Sequence, residues 1–87
     1  MNTTTSATTD DITSRVKGIM LYKLGLEEWQ LKDDADFVSD LGIDSLDVME
    51  LQIEVEKEFK ITIPSEEAEK LTTVGALIRH IIHATSF

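Results

Sequence analysis

Cysteine is missing altogether from this 87-residue chain. Its absence excludes disulfides, thiolate metal sites and a cysteine nucleophile together. A domain this small must then hold itself together by packing alone. Proline occurs once, as Pro64. No run of roughly 18 apolar residues occurs, so no transmembrane helix is expected. Residues 1–11 have neither the basic start nor the apolar run of a secretory signal, and with nothing asking for export the expected location is cytoplasmic. Bases are scarce: 8 Lys+Arg face 17 Asp+Glu, a net charge of −9. That balance argues against nucleic acid and against anionic membranes as partners, since both need a basic surface. What is present, 41% hydrophobic residues, suffices for one packed core and one small domain.

The charge is concentrated. Between Asp33 and Glu58 stand ten acids and a single base, Lys57, while the rest of the chain holds seven of each sign. The whole net charge therefore belongs to the middle of the chain, either as a solvated face that aids solubility or as a docking surface for basic partners. Residues 1–9 are polar and rich in threonine, with nothing to bury, and are expected to be a flexible tail. The folded domain is expected over residues 10–87.

Hydrophobic spacing predicts an all-α fold. Ile12, Val16, Ile19 and Met20 make one stripe of an amphipathic helix. Asp10 or Asp11 can cap it, and Gly25 is placed to take the left-handed conformation after Leu24. A long connection follows over 25–43. It is apolar at Leu26, Trp29, Leu31, Phe37, Leu41 and Ile43, which should pin it to the core. Asp36 to Leu41 can form a short helical turn, broken by Gly42. A second helix runs from the cap Asp44 to about Phe59, with Asp47 placed to return the bond as in a capping box. Ile61-Thr62-Ile63 reads as an extended linker. Pro64 or Ser65 then starts a short helix through Lys70. Thr72 or Thr73 caps a final helix whose apolar face is Val74, Leu77, Ile78, Ile81 and Ile82. The expected architecture is a small four-helix bundle, three main helices and one short helix, with a long first connection.

The second helix carries two apolar faces. Leu51, Val55 and Phe59 share one side, and Leu46, Met49 and Ile53 share another, offset by about 160–200° at ~100° per residue. A bundle helix buries one face, and Leu51, Val55 and Phe59 are the better candidates. The other face is then either covered by the long connection or left as a contact surface among Asp47, Glu50 and Glu54. Ser45 falls in the first turn, where the helix dipole and free N–H groups favour a phosphate on its hydroxyl.

The string Asp40-Leu41-Gly42-Ile43-Asp44-Ser45-Leu46-Asp47 closely resembles the modification motif of acyl carrier proteins. The likeness continues through Val48-Met49-Glu50-Leu51, Glu58-Phe59, Ile63-Pro64-Ser65-Glu66-Glu67-Ala68 and Thr72-Thr73-Val74, and so spans roughly residues 10–83. It implies a monomeric four-helix carrier, a substrate of enzymes with no catalytic or metal site of its own. Ser45 would bear a 4'-phosphopantetheine arm through a phosphodiester, added from coenzyme A by a Mg²⁺-dependent phosphopantetheinyl transferase. The arm holds acyl chains as thioesters, and its thiol would be the only one in a protein without cysteine. By position, the family's partner surface falls on Asp44, Leu46, Asp47, Met49, Glu50, Ile53 and Glu56. There, acyltransferases, ketosynthases and other basic-surfaced enzymes of fatty acid biosynthesis would dock. The family's acyl chain enters the bundle beside this helix. Three positions depart from the family pattern: Lys57 lies where such carriers usually have an acid, Lys60 in a position often acidic or neutral, and Glu54 adds an acid where a small residue is common. The alternative these departures leave open is a dedicated carrier of a specialised lipid, polyketide or other secondary-metabolite pathway.

Rival readings fit less well. Ile43, Asp44 and Leu46 around Ser45 lack the glycines of a hydrolase nucleophile elbow. His80 and His83 read as ordinary residues of the last helix. A calcium loop starting at Asp34 puts Ser39 where glycine is needed and Ser45 where glutamate is needed. Starting at Asp36 puts Leu41 and Asp47 there, so both registers fail. A helical adaptor would share the fold and the acidic face but has no use for a modified serine.

Overall fold

A computed structural model describes residues 9–85. Four helices follow in order: α1 (Thr9–Leu24), α2 (Ser45–Phe59), α3 (Ser65–Ala68) and α4 (Val74–Thr85). This is the expected all-α arrangement of three main helices and one short one. The flexible tail expected over residues 1–9 lies outside the described residues, apart from Thr9, which opens α1. Asp10 and Asp11 are therefore not caps. They sit in the first turn of α1, where carboxylates still face the positive end of the helix. Gly25 closes α1 with φ 67°, its N–H bonded to the Leu21 carbonyl at 3.0 Å.

The core forms where three stripes meet. α1 contributes Ile12, Val16 and Met20, α2 contributes Leu51 and Val55, and α4 contributes Val74, Leu77, Ile78 and Ile81. α1 packs against both α2 and α4. Each fully buried aliphatic side chain stabilises the fold by roughly 1.5–3 kcal/mol, and in a chain without cysteine these are the main source of stability. Phe59 is only half-buried. Its ring lies under the Arg15 guanidinium, 4.5 Å from the centroid, and Arg15 also pairs with Glu58 at 2.6 Å. That pair is exposed and so contributes about 0–1 kcal/mol.

The long connection is pinned as expected at Leu31 and Phe37, which are buried, and more loosely at Leu26, Leu41 and Ile43. Trp29 departs from the expectation and is 71% exposed. It belongs to a 3₁₀ turn, Glu28–Gln30, held by a polar cap in which the Glu27 N–H donates to Gln30 Oε1 at 2.8 Å. None of the turn's residues is buried. The flanking leucines take the inward positions, and Trp29 is carried outward.

Beyond the turn, the connection is fastened to the start of α4 by main-chain bonds. The N–H groups of Val74 and Gly75 donate to the carbonyls of Ala35 (3.0 Å) and Asp33 (2.8 Å), and Phe37 N–H donates to Thr72 O (2.9 Å). Of the two expected caps, Thr73 serves: its Oγ1 accepts from Ala76 N–H at 3.1 Å. The otherwise orphaned donors of the α4 N-terminus thus become the anchor for the loop. The approach is close at Gly75, where a Cβ would overlap the Asp33 carboxylate and lie 2.7 Å from the Asp33 carbonyl oxygen. Asp33 is itself held by Arg79 at 2.9 Å.

These distances predict opposite outcomes for two glycines. Gly75→Ala should lower stability by about 1–3 kcal/mol, because the loop must move away from α4. Gly18 lies in α1, and a methyl group on its Cα would have nothing within 4 Å. Gly18→Ala should therefore raise stability by about 0.5–1 kcal/mol. Denaturant unfolding of the two variants measures both, and a Gly75→Ala protein as stable as the parent would contradict the close approach.

Candidate functional site

Burial of Leu51 and Val55, both 0% exposed, fixes the rotation of α2. The second apolar face then points to solvent: Leu46, Met49 and Ile53 are 58%, 57% and 47% exposed. The long connection does not cover them. Asp44, Asp47 and Glu50 are exposed beside them, so six of the seven partner-face residues expected from the sequence share an outward surface. Glu56 is the seventh, and it is placed differently. It is half-buried, and its Oε2 accepts the Ile63 N–H at 2.6 Å.

Ser45 is the first residue of α2 and is exposed. Asp44 stands at the N-cap in an extended conformation (φ −65°, ψ 141°), but its side chain makes no cap hydrogen bond. The expected capping box with Asp47 is therefore not formed. The chain enters α2 from a closed turn, and the Asp44 carboxylate is directed to solvent. The first-turn N–H groups around Ser45 are left without that side-chain acceptor, at the positive end of the helix dipole.

The turn that precedes Ser45 is built around Asp36. The short helical turn expected over 36–41 forms as turns outside the named helices, with Asp40 N–H donating to Asp36 O at 3.0 Å and Gly42 N–H to Val38 O at 3.1 Å, each four residues back as in an α-helix. Leu41 N–H reaches back to the Asp36 carbonyl at 3.0 Å, and Gly42, with φ 68°, ends it. Asp36 Oδ1 accepts from Val38 and Ser39 N–H, both at 2.9 Å, and Asp40 Oδ2 accepts from Asp36 N–H at 2.8 Å. The two carboxylates therefore cap the turn reciprocally. Ile43 N–H donates to Phe37 O at 2.8 Å, bringing the chain back to the start of α2.

Between this turn and α2 lies a cavity of about 650 Å³. Ser45 lines it, with Val48, Met49, Gln52, Ile53 and Glu56 along α2. Phe37 and Val38 form another side, and Ile63 of the linker, Ala68 of α3 and Leu71 just after α3 line it from the outside. Sequence reasoning placed a chain-holding space beside α2 but did not find this outer wall. Gln52 and Glu56 were the available signal: two polar residues four apart, on the side of the helix that also presents Val48. Gln52 Nε2 donates to Ala68 O at 3.3 Å, and Glu56 holds Ile63.

The Asp36 carboxylate is held below the ordinary 3.8, first by the Ser39 N–H and, against a smaller opposing effect of burial, by Val38 N–H and the hydroxyls of Ser39 and Thr72. A folded-state pKa below the unfolded one adds stability above the ordinary value. That contribution is lost as pH falls through the folded one. A carboxyl-carbon NMR titration should place the Asp36 midpoint under 3.8. The pH dependence of stability should be flatter for Asp36→Asn than for the parent below that pH. A midpoint at or above the ordinary value would contradict the turn geometry.

Ser45 thus presents an exposed hydroxyl at a helix start without a side-chain cap, beside a largely apolar cavity. The sequence itself matches the family described as phosphopantetheine attachment site over residues 14–81, a stretch that contains Ser45 and the whole of α2. Members of this family carry 4'-phosphopantetheine covalently. They are carrier domains rather than catalytic ones, served by modifying transferases and synthase enzymes. Among the described residues, no helix is long and apolar enough to cross a membrane. The chain belongs to the phosphopantetheine-binding carrier family.

Proposed function

We propose that this protein is an acyl carrier, with Ser45 as its attachment residue, serving the enzymes of fatty acid biosynthesis. The observation that carries the proposal is the position of Ser45: exposed, first in α2, and on the lining of the cavity. When bound, the 4'-phosphopantetheine arm supplies a thiol that holds an acyl chain as a thioester. The residues of the chain do the rest. The N–H groups at the start of α2, which lack a side-chain cap, would favour the negative charge of a phosphate on Ser45. Val48, Met49 and Ile53 offer an apolar side to a chain lying along the helix.

Docking falls to the outward face of α2. Leu46, Met49 and Ile53 supply the apolar contact, and Asp44, Asp47 and Glu50 surround it with negative charge that steers a basic enzyme surface toward Ser45. Glu56, whose carboxylate holds the Ile63 N–H, contributes less to this face than the other acids. The domain is taken to span residues 10–87 as a monomer in the cytoplasm. Lys57 and Lys60, exposed at the far end of α2, favour a second reading, a carrier dedicated to a specialised lipid or polyketide pathway, because they break the negative run that a general fatty-acid partner would meet.

The test is an intact-mass measurement after incubation with coenzyme A, Mg²⁺ and a broad-specificity phosphopantetheinyl transferase. The parent protein should gain one arm, and Ser45→Ala should gain none while keeping its helical circular dichroism. No gain on the parent, or an equal gain on Ser45→Ala, would overturn the assignment.

A further inference from the structure

The outer wall of the cavity is weakly built in itself. α3 has four residues, none of them buried, and its N-cap Pro64 makes no side-chain cap. The linker before it, 61–64, has no regular structure. Two apolar anchors, Ile63 and Leu71, 8% and 7% exposed, hold the ends of this segment. The Ile61 N–H donates to the Glu56 carbonyl at 3.1 Å where the chain leaves α2, and two side-chain hydrogen bonds fasten the rest of the segment to that helix: Ile63 N–H to Glu56 Oε2 at 2.6 Å, and Gln52 Nε2 to Ala68 O at 3.3 Å. Gln52 and Glu56 are one turn apart on α2, and both line the cavity along with Ile63 and Ala68.

We propose that Gln52 and Glu56 act as a two-point latch that sets the distance between α2 and the 61–71 segment, and so the length of apolar chain the cavity accepts. The latch is polar but lies on the cavity side, so its bonds are part-buried. A charge-assisted bond such as Glu56 to Ile63 N–H is the stronger of the two. Losing it leaves a part-buried N–H without a partner, and the segment relaxes outward on its end anchors. These are positioning residues: they act on the chain through the wall they hold. The inference rests on the reading of the cavity as the place where a carried chain lies. It does not require that Ser45 be the attachment point.

The test uses the unmodified protein, so that its outcome is separate from modification of Ser45. Linear alcohols from 1-hexanol to 1-decanol serve as probes, with binding followed by the amide shifts of Ala68 and Leu71. Amide hydrogen exchange is read at Ile63 and, as a core reference, at Leu77. Glu56→Ala should speed exchange at Ile63 at least tenfold with a smaller change at Leu77, and the double variant with Gln52→Ala should shift the preferred alcohol to a longer one. Glu56→Gln, whose amide oxygen can still accept the bond, should restore much of the protection. A merely structural role would speed exchange at Ile63 and Leu77 alike and leave the preferred length unchanged, which would overturn the proposal. Failure of every alcohol to shift Ala68 or Leu71 in parent and variants would overturn it too.

Discussion

The burial of Leu51 and Val55 is the constraint from which the rest follows. α2 has apolar side chains on two opposed sides, and only one side can enter a core made by α1 and α4. Once these two residues are inside, the rotation of the helix is fixed. Leu46, Met49 and Ile53 are then left outside, Gln52 and Glu56 are turned toward the linker and α3, and Ser45 stands at the exposed start. The same choice that stabilises the bundle therefore places on a single helix an exposed apolar face, a cavity wall and the exposed Ser45, the features on which the proposed docking and attachment rest.

A second fastening keeps the other side of the cavity in place. The long connection would be an entropic liability if it were free. Instead its carbonyls serve as acceptors for the first N–H groups of α4, and Phe37 is driven into the core beside them. Gly75 permits the approach by having no side chain. From that anchor, the Asp36 turn delivers the chain to α2 with its carboxylates already committed to main-chain donors. Asp36 therefore counts less as docking charge than Asp44, Asp47 or Glu50, whose carboxylates carry no cap bond and remain on the surface. Location along the sequence placed all of these acids in one charged stretch. The geometry separates those that hold the turn from those free to meet a partner.

How much of this was legible in the sequence depended on the range of the interaction. The helices followed from apolar spacing, since periodicity is local and the stripes on α1 and α4 are unambiguous. The αL position of Gly25 and the capping role of Thr73 were readable for the same reason. The exposure of Trp29 was not, because a polar 3₁₀ cap decided its direction against the general tendency of tryptophan to bury. The Asp44 capping box was not formed either: Asp44 takes the N-cap position, but its side chain makes no cap hydrogen bond. Ser45 was singled out by motif and not by physics, for a serine in a first helical turn is common. The pairing of Gln52 and Glu56 with the outer wall was least accessible of all. It joins α2 to main-chain atoms 7 and 16 residues away, and nothing in a one-dimensional pattern marks which carbonyl or N–H will come within reach.

The division of α2 into an inner face that holds the fold and an outer face free for partners is tested most directly by making the same substitution on each side. Leu51→Ala removes a side chain that is 0% exposed, and Leu46→Ala removes one that is 58% exposed. Denaturant unfolding of both should show a loss of about 2–5 kcal/mol for Leu51→Ala and a change within about 0.5 kcal/mol for Leu46→Ala. Equal losses, or a larger loss at Leu46, would mean that α2 is rotated differently and that its outward apolar face is part of the core.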